Sequence, residues 1–227
     1  MPKKALLVGN SDGMGLALTR RLLDKGWQVI GISRSPSPVS HPDYIHHVRD
    51  VSGPAFEILL GELSETGPVD LCAYFAGIGE LLDPLDMGGE AEIIQVNFIG
   101  MVKTASAVVP GMVNRGKGHF LGISSLADEM VSAEAPSYYA SKAGFSKYLA
   151  GLALALRPKG VHVTNVRFGF VDTKMAKGDA KPFLMSIEKA VVHLEHCLRK
   201  KPARYTAPKI LIPLIKLRKC ILALAKK

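Results

Sequence analysis

Residues Lys4 to Lys25 read K-A-L-L-V-G-N-S-D-G-M-G-L-A-L-T-R-R-L-L-D-K, three patterns in immediate succession. Lys4 to Gly9 is a short apolar run closing on glycine, the look of a buried strand. N-S-D-G-M-G follows as a turn, and helical spacing of apolar residues runs from Leu16 to Lys25. Gly9, Gly13 and Gly15 fall in the pattern G-x-x-x-G-x-G. Such glycines permit a tight turn and let a pyrophosphate approach the backbone, while a helix starting near Gly13 offers that anion free N–H groups and a positive dipole end. A glycine-rich turn with no ligand is the plain alternative; the order strand, turn, helix weighs against it.

Downstream, Trp27 to Ser33 predicts a second strand with Arg34 at its tip, Tyr44 to Val51 a third ending in Asp50 and Val51, and Val69 to Phe75 a fourth closing on Ala76 and Gly77. Glu90 to Asn114 is long enough for a major helix, although Ile93, Ile94, Val96, Phe98, Val102, Ala105 and Val109 recur at mixed helical spacing. Asn97 lies within it, and an amide among apolar neighbours is costly unless hydrogen-bonded. Val161 to Phe168 predicts a sixth strand, reaching Gly169, Val171 and Thr173.

Gly118 to Lys142 lies between these elements and carries the chemistry. His119 to Ile123 is mostly apolar and ends in Ser124 and Ser125, so the hydroxyls sit at the carboxyl end of a fifth strand, where open α/β sheets bind ligands. A helix then places Tyr138 and Lys142 four residues apart, on one face, with Cβ atoms roughly 6 Å from each other. The ammonium is expected to pull the phenol's pKa down from about 10. A hydroxyl, a phenol and an ammonium converging there suit proton exchange with a carbonyl or alcohol oxygen. Tyr139 is an equally good tyrosine by type; only the spacing to Lys142 selects Tyr138.

Five ordered motifs between Lys4 and Thr173 resemble the short-chain dehydrogenase/reductase family: the glycine turn, Asp50, Ala76-Gly77, Asn97-x-x-Gly100, and Ser125 with Tyr138-x-x-x-Lys142. The resemblance implies one doubly wound Rossmann-type domain over residues 1–227, a mostly parallel seven-stranded sheet with helices on both faces. It also implies hydride transfer between NADP(H) and a carbonyl or secondary alcohol. Asn97, Ser125, Tyr138 and Lys142 would be catalytic, with Asn97 helping to hold a relay water. Gly9, Asn10, Ser11, Gly13, Met14, Gly15, Ser33, Arg34, Asp50, Val51, Ala76, Gly77, Gly169, Val171 and Thr173, together with Tyr138 and Lys142, would bind the cofactor. Asp50 would meet the adenine amino group, Ala76-Gly77 would leave room on the adenosine side, and Thr173 would lie near the nicotinamide amide.

An acidic residue at the second strand's tip would hold a ribose 2′-hydroxyl; Ser33 and Arg34 instead favour a 2′-phosphate and hence NADP(H) over NAD(H). Arg34 as a solvated loop residue is the alternative. Asp12 stands where NADP-preferring relatives often carry a second basic residue, and its charge is expected to repel that phosphate. The family's Asn-Asn-Ala-Gly is Tyr74-Phe75-Ala76-Gly77 here, so bracing by those amides must pass elsewhere. Its Pro-Gly is Phe168-Gly169, with Phe168 expected to loosen the loop or narrow the nicotinamide pocket. These departures leave a nucleotide-binding regulator or sensor with little turnover as the alternative function.

The net charge of +9 lies wholly in the tail: Met1 to Thr173 holds 15 Lys and Arg against 17 Asp and Glu, and Lys174 to Lys227 holds 14 against 3. That distribution argues against a nucleic-acid-binding domain. Residues 174–208 are expected to form a substrate-covering segment, with Met175, Phe183, Leu184 and Met185 facing an apolar small molecule or the core, and then a last strand. Residues 209–227 are read as a basic amphipathic helix, too short to cross roughly 30 Å of hydrocarbon. It would pack on its own sheet or on a partner subunit of a homodimer or homotetramer, or lie on an anionic membrane surface. Three unevenly spaced cysteines, Cys72, Cys197 and Cys220, and a start without a long apolar run point to the cytoplasm. Adjacent His46 and His47 point to opposite faces of a strand and His193-x-x-His196-Cys197 lacks a completing cluster, so no metal is expected.

Overall fold

The computed structural model describes residues 2–176 and 182–213. Its elements run β1 (Lys4–Val8), α1 (Gly13–Leu23), β2 (Gln28–Ser33), β3 (Tyr44–Val48), α2 (Pro54–Glu65), β4 (Leu71–Tyr74), α3 (Gly88–Ile94), a π-helical turn (Gln95–Ile99), α4 (Gly100–Asn114), β5 (Gly118–Ser125), a 3₁₀ turn (Leu126–Glu129), α5 (Pro136–Leu156), β6 (Val161–Phe168), α6 (Ile187–Lys200) and β7 (Arg204–Ala207). The strands form one sheet in the order β3-β2-β1-β4-β5-β6-β7. Every neighbouring pair is parallel, where the sequence reading asked only for most of them. The direction of winding reverses between β1 and β4, which opens a crevice at the strands' carboxyl ends.

Apolar runs in β1 and β5 alternate between two cores because successive side chains leave opposite faces of a strand. Leu6, Val8, Ile32, Phe120 and Val163 pack on one face with Phe56 of α2, Met101 and Met112 of α4 and Phe145 of α5. Ala5, Leu7, Leu121 and Val166 pack on the other with Leu18 and Leu22 of α1 and Val191 and Leu194 of α6. The Gly88–Asn114 run is apolar and long enough to cross a membrane. Here Ile93, Val96, Met101, Ala105 and Met112 are buried in the protein instead.

Caps fix the helices that border the crevice. Asp12 accepts from the Gly13 N–H at the start of α1, and Ser186 accepts from Lys189 N at the start of α6, as its sequence position suggests. Gly160, at φ 74°, takes the left-handed conformation that ends the turn after α5. The helix expected over 209–227 is described only at its beginning, where Leu211 to Pro213 are helical; residues 214–227 lie outside the described residues, as do 177–181 of the covering segment.

Candidate active site

The glycine turn is packed too tightly for any side chain. Gly9 has φ 84°, and a Cβ on it would fall under 3.0 Å from Ala76 N; one on Gly15 would meet Gly9 O and Asn10 Cα at under 3.0 Å. The ends of β1 and β4 are thereby pressed together. Gly13 touches the Thr173 methyl group, so the segment after β6 lies against the start of α1. Lys174 extends this seam by pairing with Asp12 at 2.7 Å. That bond and the Gly13 N–H hold the Asp12 carboxyl below its ordinary range. The repulsive charge expected at Asp12 is therefore already countered, which corrects the sequence reading.

Asn10 turns its side chain inward, donating to Thr19 Oγ1 at 3.0 Å and Tyr44 OH at 2.8 Å. Tyr44 OH meets His46 Nδ1 at 2.9 Å, and His46 Nε2 meets Ser33 Oγ at 3.3 Å. A chain of polar contacts thus ties the glycine turn to the tip of β2. Arg34 is exposed there, and its charge, after the two Ser52 bonds, helps hold the Asp50 carboxyl low. Asp50 Oδ1 accepts from both Ser52 N (2.8 Å) and Ser52 Oγ (2.6 Å). The Val51 side chain is buried in the core. Ser11 and Met14 are part-exposed in and just after the turn.

The loop leaving β4 belongs to the reacting end of the crevice. Gly77 leaves a gap where a Cβ would lie 3.3 Å from Asn97 Oδ1, 3.4 Å from Met175 Cε and 3.6 Å from Lys142 Nζ. The room expected on the adenosine side is therefore beside the Lys142 ammonium, while Ala76 backs the glycine turn. Asn97 sits in the π-helical turn and is fully buried. Its amide accepts from Ile78 N (2.7 Å) and donates to Ile78 O (2.9 Å) and Ser141 Oγ (3.0 Å). It thus clamps the loop to α5. The bracing lost with the missing asparagines passes to Tyr74, whose hydroxyl donates to Val96 O at 2.6 Å in the same turn. Gly100 supplies the space, since a Cβ there would fall under 3.0 Å from Tyr74 OH.

Ser125 ends β5, and its hydroxyl, which accepts from Ala127 N at 3.2 Å, lies on the side of the Tyr138 phenol and favours its ionised form. The Tyr138 ring lies against Gly79, with Tyr139 edge-on at 5.9 Å. Lys142 is buried, donates to Ile123 O at 3.2 Å, and stands 5.7 Å from the Tyr138 ring centroid. Spacing thus singles out the tyrosine whose ring the Lys142 ammonium faces. The expected direction of its pKa is reversed: burial pushes the phenol up, and the nearby Ser125 hydroxyl opposes it only in part. Burial also pushes Lys142 down to about 8, against the charge of Asp128. Desolvation outweighs the attraction inferred from spacing.

Other predicted positions are structural. Phe168 is buried between α6 and the sheet, its ring 6.3 Å from His193, so it narrows no pocket. Gly169 N donates to Ala207 O at 3.0 Å, and Val171 is buried, bridging Met185. Met185 is core, whereas Met175, Phe183 and Leu184 are exposed. Sequence reading missed Asp128 and Arg167, a buried pair at 2.6 Å. The available signal was an arginine inside the apolar strand run V-T-N-V-R-F, which demands a carboxylate partner.

Comparison with known proteins gives consistent results. The family model described as short chain dehydrogenase matches residues 3–182. An uncharacterized oxidoreductase of Myxococcus xanthus is 32% identical over 204 residues, covering 83% of this chain and 81% of the relative. The 3-oxoacyl-[acyl-carrier-protein] reductase FabG of Vibrio cholerae is 30% identical over 185 residues, covering 77% and 76%. A Burkholderia cenocepacia short chain dehydrogenase solved in complex with NADP superposes with a TM-score of 0.86 at 20% identity, covering 98% and 96% of the two chains. A 4-hydroxyisoleucine dehydrogenase complexed with NADH superposes with a TM-score of 0.79 at 18% identity, covering 90% and 96%.

Proposed function

The chain belongs to the short-chain dehydrogenase/reductase family and is an NAD(P)-dependent oxidoreductase acting on carbonyl or alcohol groups; from that premise we propose that it moves a hydride between NADP(H) and the carbonyl or secondary alcohol of an apolar small molecule. The observation that carries this reading is the buried Lys142 ammonium 5.7 Å from the Tyr138 ring, with Ser125 at the end of β5, at the strand ends beside the glycine turn.

The residues present fit a dinucleotide. A glycine turn with no room for side chains meets the N-terminus of α1, which suits a pyrophosphate. Lys142 has three donors to offer and gives one to Ile123 O, leaving the ammonium able to serve a ribose diol. Arg34 would hold the 2′-phosphate, Asp50 and the Val51 backbone the adenine, and Thr173 the carboxamide end. When bound, the nicotinamide supplies or accepts the hydride. In the reductive direction Tyr138 gives its proton to the substrate oxygen, and Ser125 Oγ hydrogen-bonds the same oxygen. A phenol is protonated at neutral pH at its ordinary value of about 10, and burial raises it further, so its proton leaves only with help. Lys142 would hold the ribose and ease the phenol's ionisation; Asn97, its neighbour across the Gly77 gap, fixes the β4 loop and would carry the proton relay.

Exposed Leu81, Leu85, Met87 and Val131, with Met175, Phe183 and Leu184 on the covering segment, support an apolar substrate. We read residues 1–227 as one nucleotide-binding domain. We place the chain in the cytoplasm, with which buried free Cys72 and Cys197 accord, and as a homodimer or homotetramer on the family resemblance alone. The test is loss of NADPH absorbance with a panel of ketones and aldehydes, for wild type and Tyr138→Phe. Tyr138→Phe should lower kcat by about 10²- to 10⁴-fold while keeping NADPH affinity. Cofactor binding without turnover of any carbonyl would favour the sensor reading instead.

A further inference from the structure

Arg167 stands near the carboxyl end of β6, between β5 and the edge strand β7, with its side chain 4% exposed, facing an Asp128 side chain that is 2% exposed. The guanidinium grips the carboxylate as a fork, Nε to Oδ2 at 2.7 Å and Nη2 to Oδ1 at 2.6 Å. Ser146 Oγ of α5 donates to the same Oδ2 at 2.6 Å and meets Ser124 Oγ at 2.8 Å. One carboxylate therefore joins β6, α5 and, through Ser146, the end of β5. Ser124 is the residue before Ser125, and Ser146 is one turn beyond Lys142 on the same helix face, the Cβ atoms about 6 Å apart.

Building on the reading of Ser125, Tyr138 and Lys142 as the reactive set, we propose that Asp128 is a positioning residue for it: clamped by Arg167 and Ser146, it sets the β5 end against α5 and serves as countercharge to the buried Lys142 ammonium. A buried ion pair is weak evidence for stability, because an apolar substitute of similar volume is often at least as stable. Its distinctive contribution is a fixed charge at a fixed place. Around Lys142 stand Tyr138 on its own helix, the Asn97 amide from the π-helical turn and Ile123 O from β5; Asp128 of the 3₁₀ turn is linked to it through Ser146 and Ser124, whose Oγ reaches Lys142 O at 3.5 Å. Around Asp128 stand Arg167 and Ser146, with Glu129 on the same guanidinium and Arg204 of β7 on Glu129. Asp128 favours the charged lysine, while Arg167 tempers that carboxylate, so removing either partner should move Lys142 in opposite directions.

The experiment is a pH titration of Lys142 by NMR in protein labelled at lysine ¹³Cε, with the resonance assigned by its loss in Lys142→Arg. Asp128→Asn should lower the midpoint by about one pH unit. Arg167→Met should raise it, and the double variant should return it close to wild type. The lysine-dependent limb of the NADPH-oxidation pH profile should follow in the same order. A role confined to packing would move none of these midpoints, and an unmoved midpoint in Asp128→Asn, or shifts of one sign in both single variants, overturns the proposal. If one single variant fails to fold, the other against the double variant decides the countercharge: their midpoints should differ by about one pH unit, and equal midpoints overturn it. Ser146→Ala keeps the charge and should keep the midpoint while lowering kcat; an unchanged kcat there overturns the bracing. The titration needs neither cofactor nor substrate. Absent turnover with opposed midpoint shifts would thus remove the oxidoreductase reading alone, and normal turnover with fixed midpoints would remove the countercharge alone.

Discussion

Replacing Tyr74 by Phe and Gly100 by Ala, singly and together, probes the brace that substitutes for the family's missing asparagines. The Tyr74 hydroxyl is fully buried and donates to Val96 O at 2.6 Å. Tyr74→Phe leaves that carbonyl without this partner, at a cost of about 1–2 kcal/mol. For a chain of this size that corresponds to a fall in Tm of about 2–8 °C. Gly100→Ala gains about 1 kcal/mol of helix propensity. Its Cβ, however, would fall under 3.0 Å from the Tyr74 oxygen and 3.3 Å from Val51 Cβ and Cγ2, and overpacking costs about 1–3 kcal/mol. The single variant should therefore be neutral to destabilised by about 2 kcal/mol. In the Tyr74→Phe background the oxygen is gone and only the milder Val51 crowding persists, so the alanine should cost about 1 kcal/mol less than in wild type. Urea unfolding at constant m-value measures all four corners of the cycle. Additivity within about 0.5 kcal/mol, or a Gly100→Ala protein more stable than wild type, would refute the brace.

Gly15→Ala should weaken NADPH binding by about tenfold or more, equivalent to about 1.4 kcal/mol, because its Cβ would meet backbone atoms that have no freedom to move; an unchanged Kd by fluorescence titration would show that the turn does not seat the cofactor. Arg34→Ala should reduce NADPH affinity by about 10- to 100-fold, the worth of a charged hydrogen bond, and leave NADH affinity alone. Equal losses for both cofactors would contradict 2′-phosphate recognition. His119 is buried against Thr164 Oγ1 at 2.8 Å, and burial pushes its imidazole down to about 3. Below the unfolded value of about 6.5 the unfolded chain binds a proton that the native protein refuses, so stability falls with acidification toward pH 3 by up to about 1.4 kcal/mol per pH unit. His119→Asn should flatten that part of the acid-stability curve, and identical slopes for both proteins would falsify the assignment.

The positions of the strands along the chain and the placement of Ser125, Tyr138 and Lys142 were readable because they depend on local patterns: apolar runs, glycine spacing, a four-residue interval. Ser186 was recognisable as a cap for the same reason. Pairings across long stretches were not. Arg167 meets Asp128 from 39 residues away and Tyr74 reaches Val96 across 22, and nothing in either neighbourhood names the other. The phenol's pKa was misjudged because spacing reports the nearby ammonium but not the desolvation that opposes it. Phe168 was expected from its position in a motif to loosen the loop or narrow the pocket, while strand alternation sent its ring into the core beside α6, against His193.

The π-helical turn at Gln95–Ile99 accounts for the uneven apolar rhythm of the long helical run. An α-helix advances 3.6 residues per turn, so one extra residue puts the two halves out of step by about 100°. Before the slip, α3 addresses α5; after it, α4 addresses α2, β4 and β5. A single continuous helical run thereby serves two layers of neighbours without a loop, and the amide of Asn97 emerges at the place where the phase changes.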